Sequence, residues 1–410
     1  MSHRITGAIA FITLFSSIMG LLHWYVWRRL VRDPSWRRPY KITATALICL
    51  LGVSLPAGFL LWRVLPRESS AVGATVSYVW LGVLFYLVII LLLQELIRIP
   101  VRLIRRYHAI KDLKYRPTVS RKPTTQLLRD SRRRFMARLA AGSALIATGG
   151  IATWGMRSVF REIVTPEIPV RLPRLPSALS GYRIAMITDL HIGPILGRDF
   201  VENIVEITNR LKPDLISITG DLVDGGVDRL REDIAPLAKL RSRHGVFFVT
   251  GNHEYYSGVE GWLRYLPRLG IRVLMNELVT IGDVSPKGAS FDLVGIPDHH
   301  AGSYHRIAPN ISRATDTRDP NRELVVLAHQ PVQIVQSAGV QAGLQLSGHT
   351  HGGQIYPFGG LVRITQPYIS GLHHHTEHTQ IYVSTGTGFW GPPMRVAAPA
   401  EIALIFLTTA

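Results

Sequence analysis

The 410-residue chain predicts an α/β domain of two packed mixed β-sheets flanked by helices, preceded by an all-α transmembrane region of about four helices. Three observations carry this. Apolar stretches of bilayer length crowd the first third of the chain. From residue 181 onward, short β-branched runs alternate with helical periods. The charge is divided to match: residues 1–138 hold 23 Lys/Arg against 5 Asp/Glu, while residues 139–410 hold 23 of each. The second part therefore has no net basic field to attract a polyanion, which excludes nucleic acid as the reason for the overall +18.

In chain order, the spans 5–27, 43–62 and 73–97 approach the roughly 20 residues that a bilayer requires, and a fourth, Ala/Gly-rich, runs from 137 to 156. Length, not periodicity, separates them from core helices. Trp24, Tyr25, Trp27, Trp36 and Trp62 fall near span ends, where amphipathic rings favour the interface, although Trp80 lies inside a span. Pro56 is expected to kink the second span. Arg28, Arg29, Arg32, Arg37, Arg38 and Lys41 follow the first span, and 13 Lys/Arg lie in 98–134, whereas 63–72 carries only Arg63 and Arg67. The positive-inside rule then puts the two basic stretches in the cytoplasm, and the N-terminus, 63–72 and all residues after 156 outside, in a multi-pass protein of the cell membrane. The basic residues read as topology anchors in preference to a lipid-specific site.

The run Asp130-Ser131-Arg132-Arg133-Arg134-Phe135-Met136 before the fourth span resembles a twin-arginine export signal set inside the chain. It implies export of the following domain already folded. No Ala-x-Ala triplet occurs between 137 and 170, so the span is expected to stay as an anchor. The single cysteine, Cys49, lies in the second span, so the C-terminal domain has no disulfide and any metal there takes O and N ligands.

Residues 157–180, with Pro166, Pro169, Pro173 and Pro176, read as an extended linker with room for one edge strand. In the domain 181–410, RIAMIT, DLISIT, GVFFVT, FDLVGI, ELVVLA and IYVST read as buried strands. Helices are predicted at 198–211, 228–240, 258–268 and 331–338. The βαβα order implies parallel pairing with right-handed crossovers, and the surplus of strands toward the C-terminus implies a second sheet.

Polar residues recur just past these strands: Asp189 and His191 in TDLH, Asp221 in GDLVD, Asn252 and His253 in GNHE, His329 in AHQP, and His349 and His351 in GHTH. Residues beyond the carboxyl ends of strands line the ligand crevice of open α/β sheets, so these motifs are expected to converge. Any one of them alone reads as a turn with a capping residue. Together, two carboxylates, one amide oxygen and four imidazoles form a donor set of intermediate hardness that suits Mn²⁺, Fe²⁺, Zn²⁺ or Co²⁺. Seven donors exceed one tetrahedral ion and suit two ions about 3.5–4 Å apart that share a carboxylate. Such a pair, supplying a metal-activated hydroxide, points to hydrolysis of phosphate esters.

The order D-x-H, GD, GNH(E), H, GHTH over residues 181–410 resembles the calcineurin-like metallophosphoesterase family. The resemblance implies two divalent ions, manganese, iron or zinc. It implies that Asp189, His191 and His351 hold one ion, Asn252, His329 and His349 the other, and that Asp221 bridges them. It gives His253 a catalytic role, donating a proton or hydrogen bond to the departing oxygen. The membrane-linked members it is similar to include twin-arginine-exported phosphodiesterases and UDP-2,3-diacylglucosamine hydrolases. The substrate of the latter is made in the cytoplasm, and the outward topology argues against it. A phosphodiester or pyrophosphate of a lipid-linked or envelope compound is the expected substrate. A non-catalytic sensor or scaffold is the alternative, and the complete donor set argues against that.

Other clusters carry less. Asp224 and Asp228 read as caps of the following helix, with a place behind the metal ligands as the alternative for Asp224. Asp298, His299 and His300, with His305, are candidates for the substrate mouth, and Arg395 in STGTGFWGPPMR for a phosphate or headgroup contact. His373, His374, His375 and His378 read as a solvated loop before IYVST.

Overall fold

The computed structural model describes residues 2–113, 123–159, 161, 163–285, 288–304 and 306–409; Lys114, Arg116, Arg121 and Lys122 of the second basic stretch, and His305, lie outside the described residues. The chain divides into two compact units, one comprising residues 1–64 and 72–154, the other 65–71 and 155–410.

Four long helices supply the first unit: α1 (Ser2–Trp27), α2 (Arg38–Val64), α3 (Arg67–Leu113) and α4 (Pro123–Val159). Each predicted span falls inside one of them. Among the described residues, three stretches are long and apolar enough to cross a membrane: Arg38–Trp62, Ser69–Val101 and Leu127–Val159. The helices outrun the predicted spans because basic residues are good helix formers. Thus α3 continues past Arg98 to Leu113, and Arg132, Arg133 and Arg134 are exposed on α4. Val26, Leu55, Leu84, Leu87, Leu91 and Ala144 pack in the centre of this unit. Polar pairs tie the helices together. Trp80 Nε1 donates to His23 Nε2 (2.9 Å), Gln94 Nε2 to Ser143 Oγ (3.2 Å), and Arg29 pairs with Glu95 at 2.6 Å. In an apolar setting, bonds of this kind fix which helix faces meet.

In the second unit the described residues form twelve strands in two six-stranded sheets. They are β1 (Glu167–Arg171), β2 (Tyr182–Ile187), β3 (Leu215–Thr219), β4 (Val246–Val249), β5 (Ile271–Val273), β6 (Glu277–Gly282), β7 (Ser290–Gly295), β8 (Leu324–Leu327), β9 (Leu344–Ser347), β10 (Gly371–His374), β11 (Gln380–Val383) and β12 (Ala403–Thr408). The first sheet runs β1-β12-β2-β3-β4-β5, with β2 to β5 parallel and β12 antiparallel to β2. The second runs β10-β11-β9-β8-β7-β6, with β7, β8, β9 and β11 parallel and the two edges antiparallel.

The sheets pack through alternate residues, as the two-residue strand period requires. Ile184 and Met186, Val325 and Leu327, Leu344 and Leu346, and Ile405 and Leu407 share one fully buried core. Each such side chain contributes about 1.5–3 kcal/mol on burial, so the inter-sheet core is what holds the two strand-end rows together. Helix α5 (Arg198–Arg210) buries one face, on which Val201, Ile204, Val205 and Thr208 recur at helical spacing. The next helix, α6 (Val227–Ile234), is shorter than its predicted span because Pro236 tightens the chain into a 3₁₀ turn, Ala235–Lys239. Pro267 does the same after Val259–Tyr265.

The stretch after α4 supplies the edge strand expected within 157–180, β1, and Pro169 is tolerated there because the strand has a neighbour on one side only, β12. Two differences from the sequence-based expectation concern pairing. The C-terminal strand β12 inserts between β1 and β2, which no local pattern announces. The histidine-rich segment is only partly a loop: Gly371–His374 is β10, paired antiparallel with β11, while His375 and His378 lie in the connection between them.

Candidate metal centre

Sheet topology brings the motifs to one rim. Asp189 and His191 follow β2, Asp221 follows β3, Asn252 and His253 open α7 (Asn252–Tyr256) after β4, His329 follows β8, and His349 and His351 follow β9. The first two loops run side by side: Asp189 N donates to Gly220 O, His191 N to Asp221 O and Ile192 N to Leu222 O, at 3.0–3.1 Å. Asp189, His191, Asp221, His349 and His351 all hold positive φ, between 48° and 70°. Non-glycine residues seldom take this conformation, and clusters of it mark sites whose surroundings force the backbone. Two glycines make the approach possible. A Cβ on Gly220 would lie 2.6 Å from both Gly251 N and His329 Nδ1, and one on Gly348 would lie 2.1 Å from Asp189 Oδ2.

The donor atoms gather in overlapping groups, each with its atoms within 4.8 Å of one another: Asp189, His191 and His351; Asp221, His329 and His349; and His191, Asp221 and His253. His351 Nε2 lies 3.0 Å from His191 Nε2 and 3.4 Å from Asp189 Oδ1. Asp221 Oδ2 lies 3.1 Å from His329 Nε2 and 3.8 Å from His191 Nε2, so one carboxylate reaches toward both groups. Asn252 Oδ1 is buried and, among the described residues, makes no hydrogen bond. Among the described residues no other such cluster of His, Cys, Asp or Glu is present, the histidines of β10 included.

These donors are held by a second layer of bonds. His329 Nδ1 donates to Thr219 O (2.8 Å), which turns its Nε2 toward Asp221 Oδ2 (3.1 Å). Asp189 accepts from His349 N–H (3.0 Å) and from the Thr188 hydroxyl (2.8 Å). Glu254 is wholly buried and accepts from Gly251 N–H (2.7 Å), Asp221 N–H (3.0 Å) and Leu222 N–H (2.8 Å), so it clamps the GD turn to the GN turn. Sequence reasoning alone assigns Glu254 no task. Its place three residues after the helix-opening Gly251 is the available signal, being where a carboxylate caps a helix start.

Asp224 is also placed differently from the cap that its spacing suggests. The residue before α6 is Gly226, without a side-chain cap bond, and Asp228 lies in the first turn. Asp224 Oδ1 instead meets His191 Nδ1 at 3.1 Å and His253 Nδ1 at 2.5 Å. The turn Gly225–Gly226 separates it from α6, which frees the carboxylate for the imidazoles.

Electrostatics show what the donor set accepts. Burial disfavours the charged form of Asp221, yet His329 and His253 outweigh it and hold the carboxyl well below its usual range. Burial raises Asp189. Burial lowers His349, to about 3, and His351, so both keep a free lone pair near neutrality. At His329 burial opposes the imidazolium, but Asp221 overcomes it and raises the pKa. An unpaired amide oxygen, neutral imidazoles and converging carboxylates are a fit for divalent ions of the Mn²⁺, Fe²⁺ or Zn²⁺ type. His253 differs: burial is outweighed by Asp221 and Asp224, which lift its pKa to about 9 and keep a proton on the ring.

The two remaining candidates lie inward. Asp298 is fully buried, accepting from His300 N–H (2.8 Å) and Gln330 Nε2 (2.8 Å), next to His329. Arg395 is 1% exposed and donates to the carbonyls of Thr385, Gly386, Gly388, Ala398 and Pro399 at 2.5–3.4 Å. His299 and His300 are exposed.

Residues 182–353 match the family model described as calcineurin-like phosphoesterase. An uncharacterized metallophosphoesterase of Helicobacter pylori is 41% identical over 255 residues, covering 61% of this chain and 66% of that protein. A Danio rerio transmembrane protein with metallophosphoesterase domain is 31% identical over 417 residues, covering 98% of this chain and 90% of the relative. An uncharacterized metallophosphoesterase of Bacillus subtilis is 30% identical over 296 residues, covering 68% and 97%.

Proposed function

The chain belongs to the calcineurin-like phosphoesterase family, and on that premise we propose that it is a membrane-anchored phosphoesterase with two divalent ions. The observation that carries this is the sharing of Asp221 between two converging donor groups. Asp189, His191 and His351 would hold one ion, Asn252, His329 and His349 the other, and Asp221 both. When bound, the ions supply Lewis acidity toward phosphoryl oxygens and an acidified water.

The chain's own residues do the rest. A new P–O bond forms to the water oxygen, the P–O bond to the leaving group breaks, and His253 gives its proton to the departing oxygen. Asp224 holds the His253 ring by Nδ1 and leaves Nε2 for that transfer. Asn252 adds an oxygen donor without adding negative charge to face an anionic phosphate. Glu254 fixes the spacing of the Asp221 and Asn252 turns. Arg395 and Asp298 act through position: one holds the loop after Thr385, the other holds Gln330 beside His329.

The lysine and arginine distribution supports an extracytoplasmic site reached through an internal twin-arginine signal, and so a phosphodiester or pyrophosphate of an envelope or lipid-linked compound. The test is metal analysis of the purified full chain with a panel of phosphomonoester, diester and pyrophosphate substrates, alongside Asp221→Asn and His253→Ala. Asp221→Asn should lose metal and turnover. His253→Ala should keep metal and lose about 10²–10⁴-fold in turnover. A metal-loaded protein inert toward the whole panel would make this fold a binding module. A C-terminal reporter that fluoresces only in the cytoplasm should stay dark.

A further inference from the structure

His253 does not stand alone at the rim. Its ring meets Tyr256 edge-to-face (centroids 5.1 Å, 65°) and Trp390 likewise (5.9 Å, 77°). Tyr304 extends the row, 5.8 Å from Tyr256 and stacked on Tyr255 at 5.6 Å. These rings are not core residues: Tyr256 is 52% exposed, Trp390 51% and Tyr304 38%. Three clustered, half-exposed aromatic rings leave a solvated apolar surface beside the residue assigned to the leaving group, and such surface marks a contact site.

Trp390 is also held in place at some cost. Gln354 Oε1 accepts from Trp390 N–H (2.9 Å), while its Nε2 donates to Trp390 O (2.9 Å) and Pro392 O (3.0 Å). The buried guanidinium of Arg395 is committed to carbonyls on both sides of this turn. A buried arginine is costly unless its donors are satisfied, and here they are satisfied by the loop that presents Trp390. None of these bonds reaches a metal donor. Their effect is to fix the backbone that presents an exposed indole at the site, which is how binding anchors are built.

We infer that Tyr256, Trp390 and Tyr304 form a leaving-group subsite that selects esters whose departing alcohol carries a flat aromatic ring next to the phosphorus. This rests on the proposed hydrolysis for its reaction, but on the ring geometry for its selectivity. A planar group leaving past His253 would lie against Trp390 and Tyr256, a stacking contact of about 1–3 kcal/mol, or about 5- to 150-fold.

The test uses the purified, Mn²⁺-loaded full chain in detergent. Methyl phenyl phosphate is compared with methyl hexafluoroisopropyl phosphate, whose leaving alcohol has matched acidity but no ring. In parallel, calorimetry compares phenylphosphonate with methylphosphonate, which needs no turnover. The phenyl ester should be preferred in kcat/KM by about tenfold, Trp390→Ala should remove most of that preference through KM, and Trp390→Phe should keep it. Metal content should not change, and Tyr256→Ala gives a second route should the Trp390 loop fold poorly. Equal handling of the two esters, equal binding of the two phosphonates, or a preference untouched by both alanine variants would overturn the subsite. Should neither ester turn over while phenylphosphonate still binds better in a Trp390-dependent way, the subsite stands and hydrolysis falls. Turnover without ring preference leaves hydrolysis standing and removes the subsite.

Discussion

The two sheets contribute chemically different donors to the centre. Loops after β2, β3 and β4 supply both carboxylates, the amide, the imidazole of His191 and that of His253, whereas loops after β8 and β9 supply imidazoles alone: His329, His349 and His351. The first set is cross-linked within itself by Glu254 and Asp224. The second is tied across the sandwich, with His329 donating to Thr219 O and His349 N–H to Asp189. Both carboxylates thus sit on one side, and the imidazoles of the other are carried to them by the packing of the sheets. The group His191-Asp221-His253 is complete on the loops of the first sheet, whereas Asp189-His191-His351 and Asp221-His329-His349 both cross from one sheet to the other and depend on inter-sheet packing.

The sharpest way to break this comparison is to remove one donor from each side. Asp221→Asn, on the carboxylate side, should drop bound metal toward zero, since both ions lean on it. His349→Ala, on the imidazole side, should leave about one ion per chain. Metal analysis by mass spectrometry reads both, and equal losses would show that Asp221 does not bridge. Saturating metal should raise the unfolding free energy by about 4 kcal/mol at a thousandfold excess over Kd, and a chelator should remove that increment. Next in size is Glu254→Gln, which replaces a carboxylate that accepts three N–H groups; it should cost about 1.5–3 kcal/mol by denaturant unfolding, with the GD and GN turns loosened together. Asp224→Asn should keep metal and reduce turnover by about tenfold, because His253 loses its charged partner but not its position. The smallest effect belongs to the surface: His373→Ala on edge strand β10, where the ring stacks on Tyr368, should change stability by no more than about 0.5 kcal/mol and leave metal content intact.

How much of this is legible in the sequence depends on the range of the interaction. The strands before TDLH, GD, GNHE and AHQP are local patterns of β-branched and apolar residues, and each donor sits within a few positions of its strand end, so both are readable; β9 before GHTH, with the sequence LQLS, has no β-branched residue and escapes that pattern. Asp224 reads as a cap because its spacing to α6 suits one; its true partners, His191 and His253, lie 33 and 29 residues away. His373 and His374 read as a loop because the hairpin partner that makes them a strand begins beyond them. Charge alone places Arg395 near the phosphate, and only the fold reveals that five carbonyls of its own neighbourhood occupy its donors.

By itself the sequence determined which atoms can bind metal, which end of each strand they occupy, and which stretches are apolar enough to enter a membrane, because these follow from residue chemistry and periods of two and 3.6. Tertiary structure alone decided that the two donor rows face each other, that β12 enters the first sheet between β1 and β2, and that Glu254, Asp224 and Trp390 stand at the site. Those outcomes depend on contacts between residues far apart in the chain, and inter-sheet burial, which no local pattern encodes, is the force that selects them.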